Sequence, residues 1–164
     1  MLPTSCGVCF TGHRPGRLGL SKQNEDELRF RLHQHIVKAV DEGFCNFYCG
    51  MAMGADIIAG ELTAALREQF PELRLIAVVP FAGQCSRWPE SWQRRWRALL
   101  SRADEQVILS PTYQQGCFQT RNRYMVDRAQ RVIAVYDGSQ KGGTFSTICY
   151  ARKQGREIET VAPQ

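Results

Sequence analysis

Apolar residues along the chain fall into two patterns that alternate from one end to the other. Short continuous runs, closed by glycine or polar residues, carry the signature of buried strands. They read CGVCFTG at 6–12, FCNFYCG at 44–50, LRLIAVVPF at 73–81, EQVILS at 105–110, RVIAVYDG at 131–138 and EIETVA at 157–162. The run at 73–81 has no polar alternation after its start, as expected of a central parallel strand covered on both faces. Between the runs, apolar residues recur at helical spacing. Residues 24–42 put Leu28, Leu32, Ile36, Ala39 and Val40 on one face, with Glu25, Asp26 and Glu27 in the first turn and Gly43 as the stop. Helices are likewise predicted at 55–69, 89–104, 118–130 and 142–155, whereas HRPGRLG at 13–19 reads as loop from its proline and glycines. Strands alternating with helices in this way predict an α/β sandwich around a mostly parallel sheet, built as one domain over residues 1–164.

Composition narrows the function classes. The formal charge of +5 favours anionic ligands without separating a nucleotide from a polynucleotide. No run approaches the roughly 20 apolar residues needed to span a bilayer. MLPTSCGVCF lacks a basic segment followed by a long apolar one, so no secretory signal or membrane association is expected and the expected location is the cytoplasm. The seven cysteines are odd in number and scattered, unlike a secreted disulfide framework. Cys6, Cys9, Cys45, Cys49 and Cys149 are expected as reduced, buried thiols. Cys6 and Cys9 form a CxxC, but neither a second pair nor a histidine set completes a metal site. His33 and His35 belong to the surface of the helix at 24–42.

Unusual residues gather where strands end. In a parallel sheet, ligands bind beyond the carboxyl ends of the strands. Thr11-Gly12-His13-Arg14-Pro15 follows the first run, and Gly50, Met51, Gly54, Ala55 and Asp56 follow the second. Pro80-Phe81 closes the third, and Asp137-Gly138 and then Gly142-Gly143-Thr144 follow the fifth. Glycine lets backbone N–H groups approach a phosphate, and a helix N-terminus adds unpaired donors with the positive end of a dipole. Gly54-Ala55 and Gly143-Thr144 each open a predicted helix. Thr144, Ser146 and Thr147 offer hydroxyl donors, and Arg14 a charge-assisted contact. Asp56 suits a helix cap or an acceptor for a ribose hydroxyl, and it is the candidate catalytic carboxylate. Arg121 and Asn122, near the start of their helix, are further ligand contacts. Neither GxGxxG nor GxxxxGK[ST] occurs, which disfavours dinucleotide-dependent hydride transfer and P-loop chemistry. No cofactor or metal is expected.

Taken in order, TGHRP, CGMAMGAD, VVPF, RNRYMVDRAQRVIAVYDG and GGTFST resemble the YpsA-like branch of the SLOG superfamily, over about residues 5–162. That resemblance implies a Rossmann-like three-layer sandwich, related to the DNA-processing protein DprA and the Lonely Guy phosphoribohydrolases. It implies a nucleotide or nucleic-acid pocket formed by the first loop, the Gly50–Asp56 turn and the Gly142–Thr147 turn. Lonely Guy enzymes cleave the N-glycosidic bond of a nucleoside monophosphate with a PGGxGTxxE motif. Aligned from Gly142-Gly143, this chain has Phe145, Ser146 and Cys149 where that motif has its third glycine, threonine and catalytic glutamate. Asp56 or Asp127 is then the substitute carboxylate.

The leading expectation is therefore a protein that binds or senses a nucleotide or another phosphate-bearing small molecule. A nucleotide N-glycosidase and a DprA-like binder of single-stranded DNA are the alternatives. Trp88, Trp92 and Trp96 recur every four residues among Arg94, Arg95 and Arg97. On a helix they share a face, expected to cover the core or a second copy of the chain; stacking of nucleic-acid bases is the other reading.

Overall fold

The computed structural model describes residues 6–164. The first five residues of the MLPTSCGVCF segment lie outside the described residues. Strands β1 (Gly7–Gly12), β2 (Asn46–Cys49), β3 (Arg74–Val79), β4 (Glu105–Ile108), β5 (Arg131–Val135) and β6 (Glu157–Val161) form one sheet, in the order β4-β3-β2-β1-β5-β6. Every neighbouring pair is parallel. Helices α1 (Pro15–Leu18), α2 (Lys22–Asp41), α3 (Ala55–Leu66), α4 (Glu90–Arg102), α5 (Cys117–Arg128) and α6 (Gly143–Lys153) connect them. The fold is a Rossmann-like α/β sandwich.

Strand alternation divides the interior into two cores. From β1, Val8 and Phe10 face the core that holds α2, α3 and α4, while Cys9 faces the one under α5 and α6. Leu75, Ala77 and Val79 alternate in the same manner with Ile76 and Val78 along β3. Successive strand residues point to opposite faces, so an unbroken apolar run feeds both layers. The order of strands reverses direction between β1 and β5, which opens a crevice at their carboxyl ends.

Several local expectations shift. The loop at 13–19 contains the helical turn α1, with Pro15 preset for its first position and the Arg14 carbonyl accepting from the amides of Arg17 and Leu18. α2 starts two residues earlier than its apolar face suggests, because Ser21 caps it by accepting from the Asn24 amide at 3.1 Å. The thiol expectation is corrected at three positions. β1 and β2 run in register with Gly7 opposite Asn46, which sets Cys6 beside Cys45, and the two form a disulfide with Cα atoms 5.7 Å apart. Cys149 is exposed on α6, whereas Cys9 and Cys49 are buried.

The tryptophans serve the core. Trp96 is buried and donates from Nε1 to Gln84 Oε1 at 3.0 Å, while Trp88 and Trp92 pack against the same core. Trp88 precedes α4 rather than lying on it. Arg95 stacks 4.3 Å from the Trp92 ring and is held by Glu25 and Glu61 at 2.6 and 2.7 Å. No helix among the described residues is long and apolar enough to cross a membrane.

Candidate functional site

At the crevice, the end of β1 and the starts of α3, α5 and α6 surround a hollow of about 320 Å³. Gly12, His13, Arg14, Asp56, Arg121 and Asn122 line it, and so do Gly143 and Thr144. These are eight of the residues singled out in the sequence, brought together from four separate segments. Thr11, at the strand exit already noted, completes the lining with Arg17, Ala52 and Phe118, which carried no sequence signal beyond their proximity to glycine-rich turns.

The floor is built from the Gly50–Asp56 turn. Met51 takes φ 60°, in the left-handed region, and its side chain is fully buried in the core. Cys49 Sγ donates to the Asp56 carbonyl at 3.1 Å, which closes the turn. Gly50 points its carbonyl inward, where it accepts from Arg121 Nη1 and from Gln84 Nε2, the latter at 3.2 Å. Gln84 in turn accepts from Trp96, so the tryptophan helix supports the floor of the hollow. Met51 and Pro80 are buried and do not line the hollow; Gly50 serves it only by holding Arg121.

The start of α3 has its first amide engaged within the protein. The Ala55 amide donates to the His13 carbonyl at 3.2 Å, and Gly54, at φ 104°, lies against the same carbonyl. That junction locks the first loop onto the second. Asp56 caps neither α3 nor α5; it accepts from the Ala52 amide at 3.3 Å, bracing its own turn. Burial pushes its carboxyl above the ordinary aspartate range, against the opposing influence of Arg121, the Ala52 amide and Arg14. Burial lowers the Arg121 guanidinium in turn, and Asp56 counters that. Arg121 Nε also donates to Asn122 Oδ1 at 2.7 Å.

The start of α6 differs from that of α3. Gly142, at φ 97°, is its N-cap and supplies no side chain, so the helix's first-turn amides are left for another acceptor. Gly143 and Thr144, the first two residues of the helix, line the hollow. Gly142 and Ser146 line an adjoining cavity, and the Thr147 hydroxyl donates to the Gly143 carbonyl at 2.9 Å within the helix.

Asp137 stands at the rim with its carboxylate engaged. Arg17 Nη2 donates to it at 2.9 Å, the Ser139 amide at 2.9 Å, and His13 Nε2 lies 3.0 Å away. The Ser139 amide and hydroxyl hold this carboxyl well below the aspartate range, and His13 adds to the effect. Asp137 thus ties Arg17 and His13 to the end of β5 and does not itself line the hollow. Asp127 does not line the hollow; it sits near the far end of α5 and accepts from the Tyr150 hydroxyl at 2.7 Å. Cys149 opens onto a groove between α5 and α6 and does not itself line the hollow.

The amino-acid sequence matches a known family along nearly all of its length. A family model described as the YspA SLOG family, named YpsA, covers residues 8–162. The chain belongs to that family. It is 28% identical over 140 residues to a UPF0398 protein of Bacillus pumilus, covering 82% of this chain and 75% of that one. It is 25% identical over 152 residues to the UPF0398 protein YpsA of Bacillus subtilis, covering 90% and 84%. Among solved structures it resembles the X-ray structure of TM1055, a structural genomics target, with a TM-score of 0.55 and 14% identity. That match covers 93% of this chain and 71% of the other, and it bears on the fold alone. Membership of the SLOG family together with the α/β fold supports a nucleotide-related role in general terms.

Proposed function

We propose that the protein binds a nucleotide or nucleotide derivative, with its phosphate in the hollow between β1 and α6. The observation that carries this reading is the convergence of donors on one cavity. Arg14, Arg17 and Arg121 bring guanidinium groups, and the uncapped start of α6 brings backbone amides at Gly143 and Thr144. Asp56 is the carboxylate lining the same space, and an acceptor there suits a ribose hydroxyl rather than a phosphate. The test is calorimetry with AMP, ADP-ribose, NAD and cyclic nucleotides. At least one should bind, and Arg121→Ala should weaken it by about tenfold or more, as expected for a lost charge-assisted hydrogen bond. Silence across the set from folded protein overturns the reading.

A second reading, a nucleotide N-glycosidase, draws on Asp56. Its carboxyl is raised by burial and lines the hollow, which is what a general acid requires. Incubation with nucleoside monophosphates should then release free base, and Asp56→Asn should abolish that release. Intact monophosphates after prolonged incubation with folded protein would remove this reading and leave binding alone.

A further inference from the structure

The hollow has a neighbour of different chemistry. A second cavity, about 470 Å³, adjoins it and shares Phe118, Asn122 and Gly143 with it. Where the first is lined by three arginines, the second has no charged side chain among its described lining residues. Gln115, Gln119 and Asn122 present amides there, each with a donor and an acceptor end. Asn122 Oδ1 is already taken by Arg121, which leaves its amide nitrogen as the donor. At Gly116 and Gly143 a Cβ would meet nothing within 4 Å, so the backbone there borders open space.

Phe118 stands at the boundary. The guanidinium carbons of Arg14 and Arg121 lie 5.7 and 5.8 Å from its ring centroid. Its ring is held by two others: Phe81 at 6.2 Å and Tyr113 at 6.3 Å, which themselves meet edge-on at 5.6 Å. The connection after β3 and the one leading into α5 therefore converge to fix an aromatic ring that is still 37% exposed. A braced, partly exposed ring beside neutral amides is the chemistry that accepts a flat heterocycle with hydrogen-bonding edges.

We infer that this second cavity is a nucleobase subsite, in which a neutral purine or pyrimidine stacks on Phe118 and is read by Gln115, Gln119 and Asn122. The inference rests on the phosphate site proposed above, and it adds the part of the ligand that would confer selectivity. The two cavities then divide one ligand between them, its charged end at the arginines and its heterocycle across the shared Phe118 wall.

Ribose 5-phosphate carries the sugar and phosphate of a nucleotide without the base, so it separates this inference from the reading beneath it. Calorimetry should show AMP, GMP, CMP or UMP binding about five- to hundredfold more tightly than ribose 5-phosphate, the range expected for one stacked base. Gln115→Ala combined with Gln119→Ala, at two residues of the second cavity that do not line the hollow, should cut nucleotide affinity about two- to tenfold while leaving ribose 5-phosphate affinity unchanged, which also certifies the fold. Phe118→Ala, which borders both cavities, should narrow the ratio of nucleotide to ribose 5-phosphate affinity. Phe118→Trp should retain the difference. Equal affinity of wild-type protein for nucleotide and ribose 5-phosphate overturns the base subsite and spares the phosphate site. An unchanged ratio of the two affinities in both the glutamine variant and Phe118→Ala does the same. Absence of binding by either ligand overturns both.

Discussion

The guanidinium of Arg121, on α5, donates to the carbonyl oxygen of Gly50, 71 residues earlier in the chain at the exit of β2. Both groups are buried, and the contact fixes where the charge of Arg121 meets the hollow. The glycine is part of the contact, because a Cβ at position 50 would come within 2.9 Å of the Arg121 Cδ, Cζ and Nη1 atoms.

Gly50→Ala should therefore act by displacing Arg121. Affinity for the nucleotide should fall about tenfold or more, comparable to Arg121→Ala, since a charge-assisted bond is lost in either case. A double-mutant cycle by calorimetry checks the mechanism. The combined variant should be no worse than Arg121→Ala alone, and additive losses would show that the two residues act independently.

Gly54→Ala should damage the fold as well as the site. Position 54 has φ 104°, and a Cβ there would meet the His13 carbonyl oxygen at 2.7 Å and the Arg14 Cα at 3.1 Å. Strain and backbone contact coincide, so the loss of stability should reach roughly 2 kcal/mol or more. Urea denaturation measures it, and an unchanged midpoint would mean the first loop can separate from α3 at little cost.

Glu159, on the edge strand β6, gives a pH-dependent prediction remote from the site. Burial pushes its carboxyl up, but the hydrogen bond from His35 at 2.8 Å, with Arg131 and Lys38, holds it below the ordinary glutamate value of 4.5. A carboxylate with a lowered folded-state value contributes stability that is present above 4.5 and lost as pH falls through the folded value. Glu159→Gln should thus destabilise the protein by about 1–3 kcal/mol at neutral pH. The difference from wild type should close in acid, where the native side chain is itself neutral. Urea titrations at several pH values test this, and a pH-independent difference would contradict it.

Local pattern made much of the architecture legible. The unbroken apolar run of β3 and the spaced face of α2 needed nothing beyond pleat and helical periodicity. Gly12, Gly143 and Thr144 could be assigned to one edge because parallel strands put all their exits on the same side. Other features needed contacts distant in sequence. Cys6 meets Cys45 only because β1 and β2 pair in register, and a separation of 39 residues carries no sign of that. Phe118 reads as an ordinary apolar helix residue until Phe81, from the connection after β3, joins the nearby Tyr113 to brace it.

The amino-acid sequence by itself determined the alternation of strand and helix, the parallel sheet, and the edge at which its glycine-rich turns emerge. These follow from periodicity and backbone freedom, which act over a few residues. Only the tertiary structure decided which groups at that edge face the hollow. The amide of Ala55 is taken by His13, the carboxylate of Asp137 by Arg17 and Ser139, and the start of α6 is left open. Hydrogen-bond partners are allotted by spatial neighbours, and those neighbours are set by packing across the whole sheet rather than by adjacent residues.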